Sequence, residues 1–96
     1  MGRAARLRSK RLGEKLLKIR LELGLSQNEM IKRLGLTDVL YQSNISGFEL
    51  EEREPALPIL LRYAKVAGVC VDVLIDDELD LPDKLPSKAV HKPTTK

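Results

Sequence analysis

Gln42, Ser43 and Asn44 stand consecutively and bring two carboxamides and a hydroxyl to one short segment. A carboxamide sets a donor beside an acceptor, which matches the N6 and N7 edge of adenine, and a serine hydroxyl both donates and accepts. The same side chains cap ordinary helix starts, so the triplet alone leaves base reading and capping both open. Other chemistry is sparse. Cys70 and His91 are the single cysteine and the single histidine, 21 positions apart. Zinc takes three or four such ligands, and neither residue has a neighbour for nucleophile–base work. Asp76-Asp77-Glu78 reads as an acidic helix end or solvated surface before it reads as a loose cation site. There is no glycine-rich phosphate loop. No metal, no cofactor and no enzymatic activity is expected. Cys70 is expected to be a small buried residue rather than a redox sensor.

The net charge of +3 hides an asymmetry. Residues 1–20 hold eight bases (Arg3, Arg6, Arg8, Lys10, Arg11, Lys15, Lys18, Arg20) against Glu14, whereas residues 72–83 hold six acids and no base. A polyanion would attract one end and repel the other.

The elements that must carry these groups are helical. The chain of 96 residues fits one domain, and its aromatic residues are only Tyr41, Phe48 and Tyr63, so the core must be aliphatic. Leu12, Leu16, Ile19 and Leu23 recur at helical spacing, and Gly24 supplies a stop. Ser26-Gln27-Asn28-Glu29 reads as a capping box opening a second helix with Met30 and Leu34 inward. Gly35 ends it. A third helix is expected from Gln42 to Glu49 or Leu50, with Ile45 and Phe48 inward. Pro55 and Pro58 mark the start of a fourth, which buries Ile59, Leu60, Tyr63, Ala64 and Ala67 and stops at Gly68. Val69, Val73 and Leu74 belong to a short fifth. Residues 1–9 are expected to be a flexible basic arm and 10–77 the domain. Residues 78–96 would be an extended acidic Leu-Pro strap followed by a disordered polar tail. The strap either lies on the core or pairs with a second copy. No apolar run reaches the length of a membrane span, and a single cysteine without a secretory signal fits the cytoplasm.

Several fragments in order resemble the lambda-repressor-like (Cro/repressor, xenobiotic-response-element type) helix-turn-helix family. They are Ile19-Arg20, Gly24-Leu25-Ser26-Gln27, Leu34-Gly35-Leu36, Ser43-Asn44-Ile45-Ser46, Phe48-Glu49, Arg53-Glu54-Pro55, Leu61-Arg62-Tyr63-Ala64-Lys65 and Gly68-Val69, with Asp72 and Leu74 beyond. The resemblance spans residues 12 to 76. It implies an all-α, five-helix bundle whose second and third helices form a reader of duplex DNA. It implies that Gln42, Ser43, Asn44, Ser46 and Gly47 face base edges. Gln27 and Asn28 would hold phosphates, and Gln27 would support the first reading residue. Arg3, Arg6 and Arg8 of the arm, with Lys10 and Arg11 just after it, are expected to add phosphate contacts. It further implies that Arg20 and Glu49 form a partly buried, structural ion pair.

The sequence departs from the family in four places. Leu34 to Ile45 spans eleven positions where the common pattern needs seven, so the turn either lengthens the third helix or forms a small loop. Ile31 stands where a small residue is preferred. Gly47 stands where an arginine or lysine is frequent. Leu50-Glu51 replaces the usual Arg-Gly, and with Glu52 and Glu54 makes an acidic loop beside the expected DNA face. The expected function is a sequence-specific transcription regulator, acting as a homodimer. The rival is a protein-interaction or antitoxin-like module of the same fold, favoured by the acidic loop and the Leu-Pro tail. Single-stranded RNA binding would want several exposed aromatic residues, and Tyr41 is the one candidate.

Overall fold

The computed structural model describes residues 8–86. Arg3 and Arg6 lie outside the described residues, as does the expected polar tail after Pro86. Five helices follow in order: α1 (Leu12–Glu22), α2 (Gln27–Leu34), α3 (Gln42–Glu49), α4 (Leu57–Ala67) and α5 (Val71–Ile75). There is no strand among the described residues.

Local chemistry sets the boundaries. Helix α2 opens on the expected capping box: the Ser26 hydroxyl accepts from the Glu29 N–H at 3.1 Å, and the Glu29 carboxylate accepts from the Ser26 N–H at 2.8 Å. Such a cap contributes about 1 kcal/mol. Helices α2 and α4 end on glycines in the left-handed region, Gly35 at φ 74° and Gly68 at φ 79°, where a Cβ would be strained. Pro58 falls in the first turn of α4, where its missing N–H leaves no bond unmade.

Helix α1 packs on α3 and α5, α2 on α3 and α4, and α4 on α5. The core between them is aliphatic, around Leu16, Ile19, Met30, Leu34, Ile45, Leu60 and Leu74, with Phe48 and Tyr63 as its aromatic members. The extra residues before α3 do not lengthen that helix. They form a turn in which the Val39 and Leu40 N–H groups donate to the Leu36 carbonyl at 3.0 and 2.9 Å. Leu40 turns into the core, and Ile31 is buried as well, the two meeting at one depression on the surface. The longer turn thus accommodates a branched side chain where the shorter pattern prefers a small one.

The acidic strap belongs to this core. Leu81 and Leu85 are buried while Leu79 stays partly exposed. Lys15, read from sequence as one of eight bases, is only 2 % exposed. Its ammonium donates to the carbonyls of Val73, Asp76 and Leu79 at 2.8, 2.9 and 2.7 Å. These oxygens belong to the last turn of α5 and the turn after it, so the lysine closes a helix C-terminus in the way a cation is favoured to do. Burial, then the neighbouring Arg11 charge, lowers its pKa from the ordinary lysine value.

Helix α1 has no side-chain cap of its own, since Arg11 stands at its N-cap position. Carboxylates from far along the chain take that role. Asp77 accepts from the backbone N–H groups of Lys10 and Arg11 at 2.9 and 3.1 Å, and Glu51 accepts from the Gly13 N–H at 2.7 Å. Glu51 adopts φ 64°, a left-handed conformation that costs a non-glycine residue about 1–2 kcal/mol. Its carboxylate is held there by the bond to α1. Gly13 is what allows the approach, because a Cβ there would lie 2.8 Å from Glu51 Cγ and 2.9 Å from the Glu49 carbonyl.

Candidate nucleic-acid interface

A chain of side chains runs from the buried side of α1 to the exposed start of α3. Arg20 and Glu49 form a two-point ion pair, Nε to Oε2 at 2.6 Å and Nη2 to Oε1 at 3.0 Å. Their side chains are 14 % and 5 % exposed. The Glu49 hydrogen bond raises the Arg20 pKa further above its ordinary value. Glu49 Oε1 also accepts from Gln27 Nε2 at 3.1 Å, and Gln27 Oε1 in turn accepts from Gln42 Nε2 at 3.1 Å. A charged anchor therefore sets the orientation of Gln27, and Gln27 sets that of Gln42. The Gln42 side chain keeps its own Oε1 and its second N–H for an outside group.

Exposure along α3 sorts the expected readers. Gln42 and Ser43 are exposed, Asn44 and Ser46 are half-buried, and Gly47 is buried. One expectation changes as a result. Gly47 presents nothing to solvent, because the side chain of Arg53 lies over it, with Cδ 2.9 Å from where a Cβ would stand. Asn44 is engaged in capping: its Oδ1 accepts from the Tyr41 N–H at 2.8 Å. That bond takes one of the two Oδ1 lone pairs, so Asn44 caps α3 in addition to any contact its amide makes outside. Beside Gln42, an open depression is lined by Asn28 and Lys32 of α2 and by Thr37 and Tyr41 of the turn, and Tyr41 is 77 % exposed.

The arm contributes differently from expectation. Arg11, expected on a phosphate, is held within the protein: its guanidinium donates to the Asp77 carbonyl at 2.8 Å and to Asp80 Oδ1 at 2.6 Å. That hydrogen bond raises the Arg11 pKa and lowers that of Asp80. Lys10 is tied through its backbone to Asp77, although the residue remains exposed. The Asp77 pKa is lowered by the backbone bond from Lys10 first, with that from Arg11 adding to it. Ser9 donates to the Ile75 carbonyl at 2.6 Å, and Arg8 pairs with Glu54 at 3.5 Å. Residues 9–11 are thus laced to α5 and the acidic strap, and Arg8 to the loop after α3, so the expected flexible arm does not extend this far.

The acidic loop after α3 is also rearranged. Glu51 is turned away toward α1, Glu54 is engaged by Arg8, and Glu52 stays exposed. Arg62, matched by sequence but given no role there, donates to the Leu34 carbonyl at 2.7 Å and closes the C-terminus of α2. Cys70 is exposed, against the expectation of a buried thiol. Among the described residues no group of three or more His, Cys, Asp or Glu side chains could hold a metal ion, and no helix is long and apolar enough to cross a membrane.

No protein-family model matches the chain, and no curated protein matches it in sequence.

Proposed function

We propose that this chain is a sequence-specific duplex-DNA-binding regulator that uses α2 and α3 as a helix-turn-helix of the lambda-repressor-like kind. The observation that carries the reading is the Arg20–Glu49–Gln27–Gln42 relay. A solvent-exposed carboxamide gains little stability from being oriented by three residues, two of them a nearly buried ion pair. Base recognition does gain from it, since a preorganised amide loses little conformational freedom on binding. Gln42 then takes an adenine edge in the major groove, Ser43 lies beside it, and Gln27, Asn28 and Lys32 face the backbone. The turning of Glu51 toward α1 removes one of the negative charges that spoke against this face.

A second copy of the chain completes the reading. Leu57 and Leu61 are exposed one turn apart on α4, at 75 % and 45 %, with Ile75 of α5 at 41 %. Leu57 and Ile75 border one groove, of about 590 Å³. Two subunits joined there would present two α3 helices to half-sites of a near-palindrome, about one helical turn apart.

The test is selection from a random duplex library at fixed salt, followed by titration of the enriched site. The parent should enrich a near-palindrome, and Gln42→Ala should relax base preference at one position per half-site, with a loss of roughly 5- to 100-fold on the best site. Absence of any enriched duplex, or an unchanged preference in the variant, refutes the assignment.

A further inference from the structure

Ser43 and Gly47 stand four residues apart on α3, and therefore one above the other on the same side of the helix. Ser43 is exposed there, whereas Gly47 is buried. The cover over Gly47 is the aliphatic stem of Arg53. A Cβ at 47 would lie 2.9 Å from Arg53 Cδ, 3.1 Å from Cγ and 3.5 Å from Cβ. The Arg53 N–H donates to the Gly47 carbonyl at 3.1 Å, which pins the root of the side chain against the same residue. Glycine is a poor choice inside a helix, yet any larger residue at 47 would displace this stem.

The far end of the side chain is unengaged. Arg8, Arg11, Arg20 and Arg62 each donate to or pair with a named protein group. The Arg53 guanidinium makes no hydrogen bond or ion pair with the described residues, and Arg53 as a whole is exposed. The stem is fixed against Gly47, on the side of α3 that carries Ser43, and the charge has no partner among the described residues.

We infer that Arg53 is a specificity-determining residue, carried across Gly47 so that its guanidinium takes the O6 and N7 of a guanine beside the bases facing Ser43 and Gln42. This rests on the DNA-reading function proposed above. Guanine is the partner because the planar fork of an arginine matches O6 and N7 bidentately. A phosphate contact would instead call for a charge at the rim of the face, whereas this stem packs on Gly47 of α3. Glycine at 47 is then part of the reader without touching DNA.

The experiment compares the site enriched from a random duplex library by the parent with those enriched by Arg53→Ala, Arg53→Lys and Gly47→Ala. The parent should require a guanine at one position per half-site. Replacing that guanine with 7-deazaguanine, which lacks the N7 acceptor, should weaken parent binding roughly 10-fold and leave Arg53→Ala unaffected. Arg53→Lys keeps the charge but not the planar fork, and should show a guanine preference between those of the parent and Arg53→Ala. Gly47→Ala favours the helix and should remain folded by circular dichroism, yet lose the same guanine by dislodging the stem. If Arg53→Ala selects the parent's site with uniformly weaker binding, or binds it equally well, the inference is overturned while DNA reading stands. If the parent enriches no duplex, the function itself has failed and the inference with it.

Discussion

Removing the carboxylate of Glu49 should cost more than removing the whole ion pair. In Glu49→Ala the Arg20 guanidinium keeps the Leu25 carbonyl as its one partner, at 3.0 Å. Its side chain is otherwise only 14 % exposed to water. Breaking a buried pair from one side costs about 3–5 kcal/mol, and the residual access to water places this case near about 3 kcal/mol. In a domain of this size each kcal/mol moves the melting temperature by about 4–8 °C, so the midpoint should fall by roughly 12–24 °C. The double variant Arg20→Met/Glu49→Leu buries no lone charge and should lose less than either single variant. Urea unfolding followed by circular dichroism gives the three free energies by linear extrapolation, with the slope m as a check on two-state behaviour. A double variant whose loss equals the sum of the single losses would refute the coupling, and with it the claim that the pair anchors Gln27 and Gln42.

Two further outcomes follow from the buried and capping groups. The Asp77 pKa is lowered chiefly by the Lys10 backbone N–H, so the unfolded chain binds its proton first as pH falls. Its contribution is complete above the ordinary aspartate range, near about pH 4, and is lost as pH drops through the lowered folded value. Asp77→Asn should therefore melt below the parent at pH 7, with the gap closing under strong acid; a gap independent of pH would contradict the capping role. The Tyr63 hydroxyl is buried with no hydrogen-bond partner among the described residues, and burial pushes its pKa well above the ordinary tyrosine value. Tyr63→Phe removes that unsatisfied group and should raise stability by about 1 kcal/mol in a urea titration, whereas a loss would mean the hydroxyl has an undetected partner.

Much of the architecture was legible because it is local. The spacing of Leu12, Leu16 and Ile19, the Ser26–Glu29 box and the stops at Gly35 and Gly68 each follow from residues within a turn or two of one another. The Arg20–Glu49 pair and the Gln27 support of Gln42 came from matching an ordered set of motifs. What stayed hidden depends on residues brought together from afar. Lys15 looked like one more solvated base, because nothing nearby in sequence announces three carbonyls from 73–79. Glu51 looked like a charge opposing DNA until its carboxylate was found on the N-terminus of α1. Arg11 counted toward the basic arm although Asp77 and Asp80 hold it. Gly47 was expected to face base edges, and nothing near it in sequence announces the stem that covers it, which starts six residues later. Asn44 was open to both roles from the start, and the Tyr41 N–H shows that it does cap the helix.

The borrowed caps of α1 impose an order on folding. Its first turn is synthesised before the carboxylates that finish it, which arrive only with Glu51 and Asp77, 38 and 67 residues after the groups they satisfy. Until then the helix frays at its leading end, and Lys15 has no carbonyl cage to enter. Completion of the first element therefore waits on the last, a long-range closure that slows folding and joins the two ends of the domain into one cooperative unit.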